Sequence, residues 1–371
     1  MYILPMVTLG INGFGRIGRL AFRIAVAKHS DEIKFGAINT SGSMDIHGWG
    51  HLVNYDTMYR KYEYEVKSDD STKNDEVIGN LKISERNVDV PLLAQRDPSL
   101  IPWNKYGVDV VIESTGKFTS EDDAKKHAVG GAKRVIISAP SKGGNVGTYV
   151  LGVNEKEGDV PQGMVISNAS CTTNCVAPVA AVMHGAFGIE KAMMTTIHSY
   201  TDDQNLQDGS HKDLRRSRAA AQNIVPTTTG AAIAVTETIP ELKGLFDGMS
   251  LRVPVATGSI TDFTFLLKKE VTVEEVNNAF REAVKNPIYK GILAVSDGFL
   301  VSTDIVGRSE SAIVDLPLTQ VVAGNMVKIF AWYDNEWGYA NRLVEQVIRV
   351  GRNLDGSHIP TDPLTAVNQI N

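Results

Sequence analysis

The stretch that decides the fold is VTLGINGFGRIGRLAFRIAVAK, residues 7–28. Its apolar start, residues 7–11, predicts a buried strand, and residues 19–28 predict a helix. Between them, residues 13–18 follow the pattern GxGxxG, which in a strand–turn–helix context is typical of dinucleotide binding. The glycines let the backbone approach a pyrophosphate, which then lies at the helix N-terminus. We therefore predict a dinucleotide-binding domain here, rather than a glycine-rich turn without a ligand.

Strand-like and helical segments alternate through the rest of the first half. Residues 33–38, 108–113, 134–137 and 164–167 are strand-like, and residues 121–129 predict a helix between two of them. This alternation is the βαβ pattern of a parallel sheet.

The second half has a different pattern. Residues 191–197, 263–267 and 327–332 predict strands, and the sequence TVEE at residues 272–275 predicts a capping box. That box would begin a helix that runs to about Val284. The change of pattern predicts a second domain of a different class.

Cys171 lies in the sequence SNASCTTNC, residues 167–175. It follows the apolar run 164–166 and precedes a second apolar run, 176–182, so strand, turn and helix would place the thiol at a helix N-terminus. The unpaired N–H groups and the helix dipole there favour thiolate over thiol. A buried, inert cysteine is the alternative. This stretch alone does not decide between the two.

His198 supports the first alternative, because it follows the predicted strand 191–197. Cysteine nucleophiles are usually activated by a histidine that is distant in sequence. Taken alone, His198 is more readily a structural histidine. Beside a cysteine at a helix N-terminus it becomes a candidate general base. A thiol nucleophile and a dinucleotide site together indicate an oxidoreductase that uses a nicotinamide cofactor.

Composition sets limits on the class of protein. The 371 residues predict about two domains, and 22% charged with 43% hydrophobic residues is ordinary for a globular protein. The net charge of -6 gives no electrostatic reason to expect nucleic acid. No apolar run approaches the ~18 residues of a membrane span. Two cysteines without a secretory pattern favour a reducing cytoplasm.

Cys175, four residues after Cys171, raises the alternatives of a disulfide and of a metal site. A helical i, i+4 pair lies near the upper distance limit for a disulfide, and two sulfurs without a nearby His–Cys cluster make a poor zinc site. We predict a packed, non-catalytic thiol and no metal.

Eight segments together carry a family resemblance. They are residues 11–19 (INGFGRIGR), 95–98 (QRDP), 113–116 (ESTG), 136–140 (IISAP), 167–175 (SNASCTTNC), 226–232 (PTTTGAA), 251–254 (LRVP) and 332–339 (WYDNEWGY). In this order they resemble the phosphorylating glyceraldehyde-3-phosphate dehydrogenases almost end to end. The resemblance implies an α/β protein with a Rossmann domain, residues 1–170 plus 336–371, in which the C-terminal helix returns to that domain. It also implies an α+β catalytic domain, residues 171–335, built on a mostly antiparallel sheet.

The resemblance also implies the chemistry. The Cys171 thiolate would attack the aldehyde of D-glyceraldehyde 3-phosphate, and His198 would accept a proton as hydride leaves. Inorganic phosphate would then split the thioester to give 1,3-bisphosphoglycerate. Thr201 and Arg252 would hold the substrate phosphate. Those implied for inorganic phosphate are Ser170, Thr172, Thr229 and Gly230, with Cys171 at the reaction centre, Arg216 between the two phosphates and Arg215 as its rival.

The implied cofactor residues fall in the glycine loop, at strand ends and in the second half of the chain. They are Gly13, Phe14, Gly15, Arg16, Ile17, Gly18, Asn39, Thr40, Arg96, Ser114, Thr115, Gly116, Ser138, Ser210, Asn335 and Tyr339. The long polar loop from about Tyr200 to Asn223 is one that the family packs across a subunit interface, which implies a homotetramer.

Two departures from the family bear on the cofactor. NAD-using members have an aspartate after the second strand, whereas here Asn39 is followed by Thr40, Ser41, Gly42 and Ser43. The nearest acid is Asp45. The loop at residues 209–210 reads Gly-Ser, which is similar to the Ala-Ser of the NADP-using branch. We predict use of NADP at least as well as NAD, although drift in either loop is the alternative.

Other functions remain open on the sequence alone. Erythrose-4-phosphate dehydrogenase shares the scaffold, and aspartate-semialdehyde dehydrogenase combines a Rossmann domain with a cysteine nucleophile. A catalytically silent binding protein is a third alternative. The tail from residue 353 outruns the usual family ending and holds no cysteine pair, so either a strap or a disordered end is compatible with it.

Overall fold

A computed structural model describes residues 6–155 and 163–354. Within these ranges, residues 6–149, 163–168 and 340–354 form one compact unit, and residues 150–155 and 169–339 form a second. Most of the chain beyond residue 353, the tail that outruns the family ending, lies outside the described residues.

The first unit is built on a nine-stranded, mainly parallel sheet. Its strands in chain order, with the two strands of a separate hairpin, are β1 (Val7–Asn12), β2 (Ile33–Asn39), β3 (Tyr55–Asp56), β4 (Arg60–Lys61), β5 (Lys67–Asp69), β6 (Val77–Ile83), β7 (Val88–Leu93), β8 (Val110–Glu113), β9 (Arg134–Ile137), β10 (Gly147–Thr148) and β11 (Val165–Ser167). The order across the sheet is β10-β11-β9-β8-β1-β2-β7-β6-β5, and β3 pairs with β4. The predicted parallel sheet is confirmed.

Three helices accompany these strands: α1 (Arg16–Lys28), α2 (Ile46–Asn54) and α3 (Glu121–Val129). The bounds predicted for α3 are confirmed, because Ser120 caps the helix by accepting from the Asp123 N–H and acidic residues fill its first turn. From β1 the chain continues to β2 on one side and returns later to β8 on the other. Such a switch point opens a crevice at the carboxyl ends of the strands, where ligands bind in this class of fold.

The second unit is built on an eight-stranded sheet. Its elements in chain order are α4 (Cys171–Phe187), β12 (Ile189–Ser199), β13 (Val225–Thr227), α5 (Ala231–Thr238), β14 (Phe246–Val253), β15 (Ser259–Leu267), α6 (Val273–Ala283), β16 (Leu293–Ser296), β17 (Ala312–Asp315), β18 (Gln320–Val322) and β19 (Met326–Tyr333). Five of its strand pairings are antiparallel and two, β12–β14 and β16–β17, are parallel. The mostly antiparallel sheet is therefore confirmed.

The remaining elements are one helix and eight short 3-10 turns. Helix α7 covers Trp337–Gly351, and its residues from 340 belong to the first unit. The 3-10 turns are Ser84–Arg86, Pro98–Leu100, Trp103–Tyr106, Ala220–Gln222, Pro240–Leu242, Pro287–Tyr289, Ser302–Ile305 and Leu316–Leu318. The predicted capping box is present, with Thr272 and Glu275 exchanging bonds at the start of α6. No helix within the described ranges is both long and apolar enough to cross a bilayer.

Candidate active site

Cys171 is the first residue of α4, as the sequence predicts. Ser170 caps the helix: its Oγ accepts a hydrogen bond of 3.0 Å from the Thr173 N–H. Before the cap, Ala169 has a left-handed backbone (φ 56°), and the Tyr339 hydroxyl donates to its carbonyl at 3.0 Å. The thiol therefore stands at a helix N-terminus on a turn that its neighbours hold in place.

His198 comes from the end of β12, and its Nε2 lies 3.4 Å from the Cys171 Sγ. The other ring nitrogen, Nδ1, lies 2.7 Å from the Ser199 carbonyl oxygen and 2.6 Å from Arg252 Nη1. The arginine can only donate, whereas the carbonyl can only accept. Nδ1 can satisfy only one of these neighbours at a time, so the tautomer of His198 depends on where Arg252 lies.

Burial controls the protonation of this pair. Although Cys171 keeps some exposure, burial raises the pKa of its thiol, and the Arg252 charge opposes that shift only in part. Burial and then Arg252 lower the pKa of His198 to about 3. Burial therefore favours the neutral form of both groups and opposes the thiolate that a helix N-terminus favours.

Three of the expected phosphate ligands gather around a carboxylate that the sequence analysis missed. Asp203 accepts hydrogen bonds from the Thr201 hydroxyl and from Arg216 Nη1. Burial acts to raise the pKa of Asp203, but the Thr201 bond and the charges of Arg252 and Arg216 outweigh it, so the pKa is lowered. Arg216 also donates from Nε to the Thr227 hydroxyl at 2.9 Å. Arg216, rather than its rival Arg215, thus lies in this cationic cluster.

The other expected phosphate residues lie on the neighbouring helix ends. Thr229 accepts from the Ala231 N–H at 3.2 Å, and Gly230 is the N-cap of α5, which packs against α4. The Thr172 hydroxyl is 2.9 Å from that of Tyr333, which also contacts Thr196. Within residues 6–155 and 163–354, no hydrogen bond joins Thr229 or Gly230 to Arg216.

Cys175 is buried in the core of the second unit, with its Sγ 3.9 Å from the Ala331 carbonyl oxygen. Burial raises the pKa of this thiol far above its usual range. Both cysteines are free thiols. Over the ranges that the structure covers, no group of three or more His, Cys, Asp or Glu side chains could hold a metal ion.

The glycine loop of the first unit leaves a helix end open. The N-cap of α1 is Gly15, which provides no side-chain cap, and a Cβ built on Gly15 would meet no atom within 4 Å. By contrast, a Cβ on Gly13 would lie 2.6 Å from the Thr115 backbone nitrogen, and one on Gly18 would lie 2.1 Å from the Gly13 carbonyl oxygen. The loop thus packs at Gly13 and Gly18 as only glycine permits, and a helix N-terminus without a side-chain cap fits a pyrophosphate.

Two side chains of the loop point elsewhere. Phe14 is buried and packs against Phe22 and Trp49. Arg16 forms a bidentate ion pair with Asp56, the closer contact being 2.8 Å. Any cofactor contact by Phe14 therefore goes through its backbone, and the guanidinium of Arg16 ties α1 to the β3–β4 hairpin.

The strand ends around the switch point carry several of the expected cofactor residues. Ser114 donates to the Gly13 carbonyl at 2.7 Å, and Thr115 binds Glu113 through its backbone N–H at 2.8 Å. Gly116 (φ 71°) borders open space. Ser138 follows β9, Arg96 is exposed after β7, and Ile17 is partly exposed in α1.

The end of β2 and the segment after it hold two of the expected cofactor residues in internal hydrogen bonds. Thr40 is buried, and its hydroxyl donates to the Leu93 carbonyl at 3.0 Å, so its proton is committed within the protein. The Asn39 amide is also bonded internally, to Asn12 and Gln95. The exposed hydroxyls are those of Ser41 and Ser43, which lie 2.8 Å apart. Asp45 caps α2 and accepts from the Gly48 N–H.

Three expected cofactor residues belong to the second unit. The Asn335 Oδ1 accepts from the Ser199 hydroxyl, the Ser259 hydroxyl and the Gly258 N–H, so these donors fix the orientation of its amide group. Tyr339 holds Ala169. Ser210 lies exposed in the loop 200–223.

These features define a two-domain dehydrogenase, with a dinucleotide fold in one unit and a cysteine–histidine pair in the other. Residues 7–121 match the family model of the glyceraldehyde 3-phosphate dehydrogenase NAD binding domain, and residues 170–335 match that of the C-terminal domain. The chain belongs to the glyceraldehyde-3-phosphate dehydrogenase family. It is 49% identical to glyceraldehyde-3-phosphate dehydrogenase 2 of Streptomyces arenae over 94% of this chain and 99% of the relative. It is 48% identical to glyceraldehyde-3-phosphate dehydrogenase 1 of Bacillus cereus over 92% and 97%.

Proposed function

We propose that the protein catalyses the reversible phosphorylating oxidation of D-glyceraldehyde 3-phosphate to 1,3-bisphosphoglycerate with NAD(P). The observation that carries the proposal is the contact of 3.4 Å between Cys171 Sγ and His198 Nε2 at the start of α4. Family membership supports the choice of substrate. Nothing observed favours erythrose 4-phosphate, and the intact thiol–imidazole pair argues against a silent binding protein.

The neutral pair can begin the reaction. The Cys171 sulfur forms a bond to the aldehyde carbon, while its proton passes through His198 to the carbonyl oxygen. A bound nicotinamide would supply the hydride acceptor. His198 takes the hydroxyl proton as the carbon is oxidised, which leaves a thioester on Cys171. Attack by inorganic phosphate then breaks the C–S bond, releases the thiolate and gives the acyl phosphate.

Arg252 links phosphate binding to the state of the base. While Arg252 donates to His198 Nδ1, the proton of the ring stays on Nε2, and Nε2 cannot accept another. A phosphate that draws the guanidinium away lets Nδ1 donate to the Ser199 carbonyl, 2.7 Å distant. Nε2 is then free to act as base. Binding of the substrate phosphate by Arg252 and Thr201 thus prepares the imidazole for proton transfer.

Inorganic phosphate, in this proposal, binds Ser170, Thr172, Thr229 and Gly230, and Arg216 lies between it and the substrate phosphate. Hydroxyl and guanidinium donors suit phosphate oxygens. The pairing of Arg216 and Thr201 with Asp203 means that an anion entering here competes with a carboxylate already present. The functional boundaries belong to the same proposal, with residues 1–170 and 336–371 serving the cofactor and residues 171–335 the chemistry.

The cofactor proposal rests on the open end of α1 and on the segment after β2. Residues 40–44 contain no acid that would repel a 2′-phosphate. The exposed Ser41 and Ser43 can donate to such a phosphate, whereas Thr40 would first have to give up its bond to Leu93. Without an arginine in this segment we infer dual use, with NADP at least as good as NAD.

A homotetramer is the assembly that we infer. The loop 200–223 exposes Leu206 (80%) and Leu214 (82%), and Ile224 (66%), just before β13, is exposed as well. The neighbouring strands β12 and β14 expose Met193 and Met249. So much exposed apolar surface is unusual in a monomer and indicates cover by another copy of the chain. Light scattering of an active monomer would contradict this. Since the two cysteines are free thiols, a reducing cytoplasm is the location that fits the proposal.

The test is a steady-state assay with glyceraldehyde 3-phosphate, with and without phosphate, against NAD and NADP in turn. Strict dependence on phosphate is expected. His198→Asn should keep a trace of activity, since loss of a general base typically costs ~10²–10⁴-fold. Turnover only with erythrose 4-phosphate, or with no aldehyde at all, would overturn the proposal.

A further inference from the structure

A buried carboxylate lies at the carboxyl end of β8, outside the reaction described above. Glu113 is 1% exposed, and its partner His127, from α3, is 0% exposed. Both belong to the first unit. An ionisable pair with no contact to solvent needs a reason, because burying such groups costs free energy unless every polar atom is bonded.

Every neighbour of the Glu113 carboxyl group is a donor. Oε2 accepts from Asn12 Nδ2 at 2.5 Å and from His127 Nε2 at 3.0 Å. Oε1 accepts from the Thr115 backbone N–H at 2.8 Å and also from the Thr115 hydroxyl. Three of these groups, the Asn12 amide nitrogen, His127 Nε2 and the Thr115 N–H, only donate here, whereas the Thr115 hydroxyl can donate or accept. Both oxygens of the Glu113 carboxyl group are therefore held by donors.

The amide orientations follow from one backbone donor. The Gln95 N–H can only donate, and it lies 2.8 Å from the Asn39 Oδ1. Asn39 Nδ2 therefore faces Asn12 Oδ1 at 2.7 Å, and the Asn12 amide nitrogen is left to face Glu113. The direction of each bond is thus fixed from the end of β7 to the end of β8, which removes the usual ambiguity of amide groups.

The state of His127 follows in the same way. The Trp103 indole N–H, a donor only, lies 3.0 Å from His127 Nδ1. Nδ1 must therefore accept, so the ring is neutral and carries its proton on Nε2, which points at Glu113. The distance of 3.4 Å between His127 Nε2 and Asn12 Nδ2 separates two donors that share one acceptor.

The network ends against the glycine loop. Thr115, which Glu113 holds by two bonds, has its backbone nitrogen where a Cβ on Gly13 would lie 2.6 Å away. Ser114 beside it donates to the Gly13 carbonyl at 2.7 Å. Because Thr115 packs so closely against Gly13, a displacement of Thr115 would also shift the loop that carries the expected pyrophosphate site.

We propose that Glu113 is a positioning residue for cofactor binding, whose carboxylate locks the ends of β1, β2 and β8 in the geometry that the cofactor needs. His127 and Trp103 act through Glu113 by supplying and orienting one of its donors. The proposal rests on the proposed use of NAD(P). It assigns a part of the cofactor affinity to a buried group.

The test exchanges the charged partner. Glu113→Gln turns an amide nitrogen towards either Asn12 and His127 or Thr115, and Asn12→Asp places two carboxylates face to face. Each single variant should weaken NAD(P) binding by about tenfold or more. In the double variant the introduced amide donates to the introduced carboxylate, which can also accept from His127 Nε2, and the amide oxygen accepts from Thr115. We expect its Kd within about threefold of the parent value.

Two further readouts separate positioning from general damage. The rate of Cys171 alkylation without cofactor should be the same in all four proteins, and kcat at saturating cofactor should stay within about threefold of the parent. Nitrogen-15 spectra of the parent should show His127 protonated on Nε2 alone. If a single variant does not fold, the double variant decides: near-parent affinity supports the proposal, and a folded double variant that binds weakly overturns it.

The proposed function and the role of Glu113 can be overturned separately. A parent protein that binds neither NAD nor NADP would overturn the proposed function. A parent that binds them, together with a folded Glu113→Gln variant of unchanged affinity, would overturn only the role of Glu113. A His127 ring protonated on both nitrogens would also contradict it.

Discussion

The crevice of the first unit and the thiol site of the second solve the problem of binding anions in opposite ways. The crevice leaves backbone N–H groups at Gly15 uncapped and fixes everything around them, through Glu113 and its donors. The thiol site holds its cations against an exposed carboxylate of the same unit, Asp203, and against the imidazole of His198. The first site is ready for its ligand, whereas the second must exchange partners when its ligand arrives. Preorganisation lowers the cost of binding, but exchange lets binding switch on a chemical group.

The largest effect should come from replacing the Cys171 sulfur, which only the second site contains. Cys171→Ser should reduce oxidation to background, because a hydroxyl does not ionise near neutral pH and is a far weaker nucleophile than sulfur. NAD(P) affinity, measured by titration calorimetry, should stay near that of the parent. Cys175→Ala, which removes the buried thiol of the same helix, is the matched control and should remain active. Turnover by the serine variant within tenfold of the parent would remove the distinction between the two sites.

Cofactor choice tests whether the first site is as fixed as we describe. Thr40→Asp with Ser210→Pro should lower kcat/KM for NADP by about a hundredfold relative to NAD, since a carboxylate within ~4 Å of a phosphate costs a few kcal/mol at an effective dielectric near 20. Ser41→Ala alone should produce a smaller loss with NADP and none with NAD. The parent should use NADP at least as well as NAD. A parent kcat/KM more than tenfold higher for NAD would refute the preference.

The third largest effect should be on the free energy of unfolding at acid pH, to which His198 of the second site contributes. The pKa of His198 is about 3 in the folded protein, lowered from 6.5 by burial and by Arg252. Between these values the unfolded chain binds more protons, so this contribution is complete above pH 6.5 and is lost as the pH falls. At pH 5 the loss is about 2 kcal/mol. Urea unfolding at fixed protein concentration should show that His198→Asn removes this part of the acid sensitivity, whereas the exposed His47→Asn does not. Equal pH dependence in parent and His198→Asn would contradict it.

The smallest expected effect concerns the carboxylate in the second site. Asp203→Asn removes the negative charge that Arg216 and Thr201 now bind, so inorganic phosphate should bind about three- to tenfold more tightly. The exposed neighbour Asp202 offers the control, because Asp202→Asn changes the same charge outside the cluster. Phosphate inhibition of Cys171 alkylation measures both. If Asp202→Asn acts as strongly as Asp203→Asn, the carboxylate influences the site only through overall charge.

Local chemistry explains what the sequence could predict. The bounds of α3 follow from its cap, the start of α4 follows from the turn before Cys171, and the pattern of glycines gives the open end of α1. These features depend on neighbours in the chain. Glu113 depends on partners brought together by folding, 101 positions apart in the bond from Asn12 to Glu113. Asp203 has one partner two residues away, Thr201, but it also bonds Arg216, thirteen residues further along, and lies near the charge of Arg252. No local pattern carries that information.

The same reason explains what residue type alone could not predict. Whether the Cys171 thiol ionises depends on how much protein surrounds it, because burial raises the pKa that the helix end visible in the sequence would lower. Thr40 has a suitable hydroxyl by residue type, but in the folded protein that hydroxyl donates its hydrogen bond to the Leu93 carbonyl. Residue type therefore predicts what a side chain can do, and the fold decides which of those capacities remain available.

The turn before Cys171 contains a strained backbone conformation at Ala169. Ala169 keeps a left-handed backbone that an L-residue adopts at an expense of roughly 1–2 kcal/mol, and glycine would adopt it freely. A mutation to glycine would therefore relieve the folded chain locally, yet it would also widen the set of shapes open to the segment that carries the sulfur. Higher stability of the folded chain would favour glycine at position 169, whereas a fixed position of the Cys171 sulfur would favour alanine. An alanine at position 169 therefore carries a local backbone strain and leaves the segment less freedom than glycine would.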